Sequence, residues 1–200
     1  HTYSLIHDDL PDMDDDLYRR GRLTNHKVYG NAIAILAGDG LLTYAFNVLT
    51  NLTLAPEQIV KIINIISKGA GIEGMVTGQV LDLEAENNKI NIDRLKKIHR
   101  AKTGAMFRTA IMTGAYCANP SVKEINALEE YSERIGLAFQ IIDDILDITC
   151  DEEKLGKSVG QDEELNKSTY PKILGLKKAK NEAQIQAEQA RDALTIFDNE

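Results

Sequence analysis

Residues 126–148 read NALEEYSERIGLAFQIIDDILDI, and their apolar positions predict a long helix. Six apolar residues alternate steps of three and four along this stretch, which places them on one helix face: Leu128, Tyr131, Ile135, Ala138, Ile142 and Ile145. The same spacing predicts helices at 31–51, 56–68, 70–86, 92–117 and 175–197. Strand-like alternation between turn residues is absent from the sequence. The prediction is therefore an all-α fold, with loops at 19–27, 87–91, 117–121 and 151–169.

The composition is typical of one folded domain. The 200 residues are 43% hydrophobic and 27% charged, which is ordinary for a globular protein with a single core. A net charge of −8 excludes the general nucleic-acid binders, because they need a stripe of Lys and Arg. We find no apolar run approaching the roughly 18 residues that span a bilayer, and expect no transmembrane segment. Two distant cysteines, Cys117 and Cys150, favour a reducing cytoplasm over a disulfide framework or a zinc site.

Acidic residues lie within the apolar part of the 126–148 helix. At about 100° per residue, Gln140, Asp143 and Asp147 fall within about 60° of arc, and Asp144 lies just outside it. On an exposed helix such residues form an ordinary solvated face. Here most of the remaining circumference is Leu, Ile, Phe and Ala, so we expect burial. A buried carboxylate is costly unless it is paired or bound to a metal, and we infer a cation between Asp143 and Asp147.

A second acidic cluster lies in residues 6–21, IHDDLPDMDDDLYRRG. If residues 3–9 are helical, Pro11 breaks or kinks the helix. The break lets Asp14 fold back toward Asp8 and Asp9, which a straight helix does not allow. The other acids of the stretch are predicted to be solvated bystanders: Asp12, Asp15 and Asp16.

The two clusters predict a magnesium site and a phosphorylated substrate. They have no thiolate or histidine partners, so their ligands are hard oxygen atoms that suit Mg²⁺. This ion commonly combines one or two protein carboxylates with substrate phosphates. Cations near polar junctions are candidates for binding those phosphates, although each alone is an ordinary surface residue: Arg19, Arg20, Lys102, Lys157 and Lys167.

Two other motif interpretations fail. An EF-hand that starts at Asp12 would have Leu17 and Leu23 where Gly and Glu are needed. Residues 69–74, GAGIEG, match the dinucleotide-binding pattern GxGxxG, but that motif needs a strand before it and the surroundings are predicted to be helical. Small residues for close helix packing are the better interpretation of these glycines.

Six blocks of sequence, in order, resemble the trans-isoprenyl diphosphate synthase family, and its bacterial farnesyl diphosphate synthases most. They are HDDLPDMDDDLYRRG, AILAGDGLL, GMVTGQVLDL, HRAKTGAMF, GLAFQIIDDILDI and GKSVGQDEELNKSTYP. The resemblance implies a helical bundle around a central active-site cavity. It also implies a single domain over 1–200 that is incomplete at both ends. The family's upstream Gly-Lys-x-x-Arg motif is not in these residues, and its C-terminal portion is expected to follow Glu200.

The resemblance assigns metal-binding roles to acids in three of the blocks. It implies three Mg²⁺ ions in the whole site once diphosphate is bound, with Mn²⁺ as an alternative. On one wall of the cavity the ligands would be Asp8, Asp9 and Asp14. Asp143 would bind Mg²⁺ on the facing wall with support from Asp144 and Asp147, and Asp82 would order metal-bound water.

Substrate-binding and catalytic roles follow from the same resemblance. Arg19, Lys102 and Lys157 would hold an allylic diphosphate, and Arg20 the diphosphate of isopentenyl diphosphate. Thr103 and Gln140 would direct oxygen dipoles at a developing carbocation. The further substrate-binding candidates are Gln79, Phe139 and Lys167.

The resemblance implies a reaction and a product length. Isopentenyl diphosphate would condense with dimethylallyl or geranyl diphosphate through an allylic carbocation, in a protein that the family leads us to expect as a homodimer. Tyr3 and Ser4, about one turn before the first aspartates, are expected to form the floor of the prenyl pocket. The bulky Tyr3 favours the C15 product, farnesyl diphosphate, although it is equally a candidate core residue. A geranylgeranyl diphosphate synthase, a class I terpene cyclase and a non-catalytic prenyl synthase subunit are the alternatives.

Overall fold

The computed structural model describes residues 1–149 and 167–197, and nearly all of its regular structure in these ranges is helical. The all-α prediction is confirmed. The chain forms two compact units, 1–53 with 148–161 and 54–147 with 162–200. The prediction of a single domain over 1–200 stays a prediction.

The first unit is built on one long helix. Its elements are α1 (Thr2–Asp8), β1 (Tyr18–Arg19), β2 (Arg22–Leu23), α2 (Asn25–Tyr29) and α3 (Asn31–Thr50). Both α1 and α2 pack against α3.

A short hairpin replaces part of the loop predicted at 19–27. Strands β1 and β2 pair antiparallel with Arg19 opposite Arg22. The two residues between them, Arg20 and Gly21, have φ of 54° and 75°, the positive values that a type I′ turn requires. The strands are too short for the alternation that identifies a strand in sequence.

The second unit contains the remaining helices. Its elements are α4 (Pro56–Ala70), α5 (Met75–Ala85), α6 (Ile92–His99), a π-helical turn (Arg100–Gly104), α7 (Ala105–Cys117), α8 (Val122–Thr149, whose last two residues belong to the first unit), α9 (Tyr170–Leu174), α10 (Leu176–Ala193) and a 3₁₀ turn (Thr195–Phe197). Helix α4 packs against α7, and α5 packs against the π-helical turn. The helix predicted over 92–117 is thus interrupted at its centre.

The buried face of α8 differs from the predicted one. Leu137, Ile141 and Ile145 join Leu95 and Tyr170 in the core of the second unit, whereas Ile142 is exposed. The apolar face predicted from the spacing is therefore not buried along its whole length. Since this part of α8 is apolar on nearly every side, spacing alone could not select which stripe is buried.

Helix α3 is the most exposed apolar element of the first unit. By length and composition it could cross a membrane, so the prediction that no apolar run approaches that size was wrong. One helix of this kind is weak evidence for a membrane span, because core helices of other proteins meet the same test. Its exposed side chains include Leu36 at 63% and Tyr44 at 61% exposure.

The contact between α1 and α3 depends on Gly38. A Cβ atom at this position would lie 2.0 Å from His7 Nε2, so the ring of His7 occupies the space that any other residue would fill. His7 Nε2 also donates a hydrogen bond to the Ile35 carbonyl oxygen at 3.0 Å. Gly38 therefore fixes the helix that leads directly into Asp8 and Asp9.

We predict that Gly38→Ala lowers the free energy of unfolding by about 1–3 kcal/mol, because the methyl group overpacks against His7. Gly40→Ala is the matched control on the same helix, since a Cβ at Gly40 meets nothing within 4 Å. The control should gain about 0.5–1 kcal/mol through its higher helix propensity. Urea denaturation measures both values, and equal stability of the two variants would contradict the contact.

Candidate functional site

The first acidic motif turns back on itself after α1. The helix ends at Asp8, and the backbone N–H of Asp14 then donates to the Asp8 carbonyl oxygen at 2.9 Å. Pro11 lies within this turn, so the predicted return of Asp14 toward Asp8 is confirmed. The backbone of the motif is arranged by the turn rather than by a continuous helix.

Arg19 joins two buried carboxylates of the first motif. Its Nε donates to Asp9 Oδ1 at 2.6 Å, and its Nη2 donates to Asp16 Oδ2 at 3.0 Å. Asp9 is only 3% exposed. Burial raises the pKa of the Asp9 carboxyl, and the hydrogen bond from Arg19 opposes that increase. The pair of hydrogen bonds holds the guanidinium of Arg19 beside the motif.

The three predicted bystanders differ from one another. Asp12 is exposed as expected. Asp15 is also exposed and forms an ion pair with Lys27 at 3.3 Å. Asp16, in contrast, is buried against Arg19, and its carbonyl oxygen accepts a hydrogen bond from Thr24. The prediction that Asp16 is solvated was wrong, because its carboxylate is buried in an ion pair with Arg19.

Two lysines of the second unit converge on Asp82. Lys102 Nζ donates to Asp82 Oδ2 at 2.8 Å, and Lys167 Nζ lies 3.8 Å from the same oxygen. All three side chains are only partly accessible. This cluster, which we call the lysine cluster, brings together three of the predicted site residues from distant parts of the chain.

The lysine cluster depends on a close approach of α5 to the π-helical turn. A Cβ at Gly78 would lie 2.1 Å from the backbone nitrogen of Lys102, so only glycine allows the two backbones to meet. Gly78 lies one turn before Asp82 on α5, and the π-helical turn carries Lys102 and Thr103. Such turns are frequent at functional sites.

The carboxylates of the second acidic motif lie in different environments. Asp143 is partly exposed, whereas Asp144 and Asp147 are buried. Asp144 Oδ2 accepts a hydrogen bond from the backbone N–H of Tyr170 at 2.8 Å and lies 3.4 Å from His99 Nε2. One carboxylate of the motif is therefore committed to contacts inside the protein.

The remaining predicted residues lie in several places. In the second unit Gln79, Thr103 and Gln140 are partly buried, and Phe139 is 50% exposed with its ring 5.2 Å from that of Phe107. In the first unit Tyr3 is buried, Ser4 is partly buried and Arg20 is exposed. Lys157 lies outside the described residues.

Comparison with known proteins identifies the family. The polyprenyl synthetase family matches residues 1–195. The chain belongs to the polyprenyl synthetase family. It is 49% identical, over 99% of its length, to a protein named farnesyl diphosphate synthase from Geobacillus stearothermophilus, and 46% identical, over 100% of its length, to one named geranylgeranyl diphosphate synthase from Cyanophora paradoxa. It covers 68% and 67% of these relatives.

A solved structure supports the fold as well. A geranyltransferase from Helicobacter pylori, complexed with magnesium and isoprenyl diphosphate, matches with a TM-score of 0.91 and 38% sequence identity. The match covers 100% of this chain and 65% of that one. The chain thus spans about two thirds of the length of these three proteins.

The acids of this polyprenyl synthetase chain fit a magnesium ion that is completed by other ligands. Within residues 1–149 and 167–197, no three His, Cys, Asp or Glu side chains are grouped as a preformed metal site would require. Mg²⁺ does not need such a group, because it binds through one or two carboxylates together with phosphate oxygens and water. Buried carboxylates such as Asp9 and Asp147 also favour a positive partner.

Sequence reasoning missed His99 and Tyr170. The ring of Tyr170 stacks on that of His99 with centroids 5.7 Å apart and planes at 11°. Burial, and then the charges of Glu182 and Asp144, raise the pKa of the Tyr170 hydroxyl, so it stays protonated. His99 opens the block HRAKTGAMF and Tyr170 lies in the block GKSVGQDEELNKSTYP, but the resemblance assigned a role to neither residue. A histidine next to Ile98 is also typical of an ordinary core residue.

We predict that Gly78→Ala separates α5 from the π-helical turn and destabilises the second unit by about 1–3 kcal/mol. The added methyl group meets backbone, which cannot rotate away as a side chain can. Gly114→Ala on α7 is the control, because a Cβ there meets nothing within 4 Å. Thermal unfolding of both variants tests this, and a melting temperature of Gly78→Ala at or above that of the control would contradict it.

Proposed function

We propose that the protein is a Mg²⁺-dependent prenyltransferase that condenses isopentenyl diphosphate with dimethylallyl or geranyl diphosphate to give farnesyl diphosphate. The observation that carries this proposal is the 49% identity, over 99% of the chain, to a relative named farnesyl diphosphate synthase. The two aspartate-rich motifs and the lysine cluster supply the groups that such chemistry needs.

The aspartate-rich motifs are the proposed metal ligands. Asp8, Asp9 and Asp14 would hold Mg²⁺ in the first motif, and Asp143 and Asp147 in the second. Bound Mg²⁺ withdraws charge from the diphosphate, which helps the allylic carbon–oxygen bond to ionise. Mn²⁺ could substitute, since it accepts similar oxygen ligands.

Cations held by carboxylates are the proposed diphosphate-binding groups. Arg19 lies against Asp9 and Asp16, and Lys102 and Lys167 lie against Asp82. These ion pairs hold the long side chains in place before substrate arrives, so less side-chain entropy is lost when diphosphate binds. Phosphate oxygens accept strong charge-assisted hydrogen bonds from such groups. Arg20 and Lys157 are proposed to bind diphosphate in the same way.

Polar and aromatic groups of the π-helical turn, α7 and α8 are proposed to stabilise the carbocation. Thr103 follows Lys102 in the π-helical turn, and Gln140 follows Phe139 on α8. Their side-chain oxygens can stabilise positive charge without forming a covalent bond. Apolar surface such as the Phe107 and Phe139 pair keeps water from the cation. Gln79, near Asp82 on α5, would support the same site.

A homodimer in the cytoplasm is the proposed state of the protein. Helix α3 exposes apolar side chains that a second copy would bury, including Ile33, Leu36 and Tyr44. Exposed apolar surface of this kind is characteristic of subunit interfaces.

Incubation of the full-length protein with isopentenyl diphosphate, each allylic diphosphate and Mg²⁺ tests the proposed reaction. We expect a C15 product whose formation stops with EDTA and resumes when Mg²⁺ is added back. Asp8→Asn should lower kcat about 100-fold or more, the scale of losing one preorganised electrostatic group. The exposed Asp12→Asn is the control and should keep wild-type turnover. Absence of product with every allylic primer would refute the proposal.

The product length tests the role of Tyr3. Tyr3 lies five residues before Asp8, about 7.5 Å along a helix, and it is buried. We predict that Tyr3→Ala shifts the product toward C20, because the floor of the pocket is removed. Tyr29→Ala, at a tyrosine that is 65% exposed in the same unit, should still give C15. If Tyr3→Ala still gives the C15 product, Tyr3 does not set the product length and is only a core residue.

A geranylgeranyl diphosphate synthase is the second candidate. The observation in its favour is the 46% identity to the Cyanophora paradoxa relative with that name. A C20 product from the unmutated protein, made from the same substrates, would select this alternative.

A further inference from the structure

One carboxylate of the second acidic motif is held from two sides by protein groups. Asp144 is 7% exposed, and its Oδ2 accepts the Tyr170 N–H at 2.8 Å. His99 Nε2 lies 3.4 Å from the same oxygen. Because a carboxylate can only accept hydrogen bonds, the His99 nitrogen that faces it must carry the proton. Oδ2 of Asp144 is therefore occupied by two groups of the protein.

Tyr170 anchors the chain segment that contains Lys167. Its side chain is 0% exposed and stacks on His99. The preceding residues are also fixed, because Ser168 Oγ donates to the Asn88 carbonyl oxygen at 3.4 Å and Thr169 is buried. Lys167 then reaches Asp82 at 3.8 Å. The position of this lysine is therefore coupled to the amide contact at Asp144.

His99 connects the same contact to Lys102. It is the last residue of α6, immediately before the π-helical turn that carries Lys102 and Thr103. Its ring is buried between Asp144 and Tyr170. A shift of His99 would therefore move the start of the turn and, with it, the ammonium group that contacts Asp82.

We propose that His99, Asp144 and Tyr170 form a positioning cluster that fixes Lys102 and Lys167 for diphosphate binding, and that Asp144 acts in this cluster rather than as a metal ligand. The inference rests on the proposed function for the role of the two lysines. The proposal gives the aspartates of the second acidic motif different roles. Asp143 and Asp147 would hold the metal of the proposed function, and Asp144 joins the motif to α6 and α9.

Hydrogen–deuterium exchange of the metal-free, full-length protein tests the anchoring independently of any activity. In EDTA, we expect Asp144→Ala to speed exchange of the Tyr170 amide by about tenfold or more, the scale of losing a hydrogen bond to a charged group. Asp143→Asn should leave that exchange unchanged. Equal exchange in wild type and Asp144→Ala would overturn the anchoring role.

Binding of inorganic diphosphate in excess Mg²⁺, measured by calorimetry, separates positioning from metal ligation. Asn at position 144 can still accept the Tyr170 N–H, so Asp144→Asn should raise Kd less than tenfold. Asp144→Ala should raise it about 10–100-fold, the range for groups that orient ligands. Asp143→Asn should raise it at least as much as Asp144→Ala. If Asp144→Asn loses as much affinity as Asp143→Asn, then Asp144 is a metal ligand and the proposal fails.

A pair of His99 variants tests the link to the π-helical turn. His99→Gln keeps a donor near the position of Nε2, and His99→Leu fills the space without one. We expect His99→Leu to raise the Kd for inorganic diphosphate about 10–100-fold and His99→Gln to restore most of the affinity. Equal Kd values for wild type and a folded His99→Leu protein would contradict the cluster. Should His99→Leu fail to fold, the Asp144 variants decide. If the wild-type protein neither binds diphosphate nor forms product, the proposed function fails. The exchange experiment still tests the anchoring role of Asp144, because it does not depend on activity.

Discussion

A carboxylate removed from water must meet a donor or a cation, and this requirement organises both units of the chain. Asp9 is held by Arg19, Asp82 by Lys102, and Asp144 by the amide of Tyr170. Each contact joins residues that are distant in sequence or separated by a turn. The acids that carry the proposed chemistry are thus the same groups that determine how the surrounding segments pack.

The fold also requires close approach between neighbouring segments, and glycine allows this approach at two positions. Gly38 admits the ring of His7 to the surface of α3, and Gly78 admits the backbone of the π-helical turn to α5. In the first case a residue next to Asp8 is fixed, and in the second case Lys102 is brought to Asp82. Both glycines lie within blocks that resemble the family, where the sequence alone offered no reason for glycine rather than alanine.

The helical class and the residues that gather in each motif could be predicted from the sequence, because apolar spacing and the effect of Pro11 are local. The return of Asp14 toward Asp8 follows from a proline that no helix interior tolerates. Other features depended on packing between distant segments. Ile142 could not be assigned to the surface on a helix that is apolar nearly all round, and the burial of Asp16 depends on a guanidinium held in place by Asp9. His99 and Tyr170 are 71 positions apart, so no spacing rule relates them.

The π-helical turn at Arg100–Gly104 has a consequence for how this helix could have arisen. A π turn holds one residue more than the α-helical turn it replaces, and each residue of an α-helix advances by about 100°. The turn is therefore equivalent to a single inserted codon in an uninterrupted helix. Removal of one residue would restore regular winding from α6 into α7. Because the π turn and the α turn complete the same rotation, side chains beyond the deletion would keep nearly their present directions, whereas those within the turn would change theirs. A change that regularises the helix would thus re-aim Lys102 away from Asp82 while leaving the side chains of α7 nearly where they are, so the irregularity acts on the segment that carries Lys102.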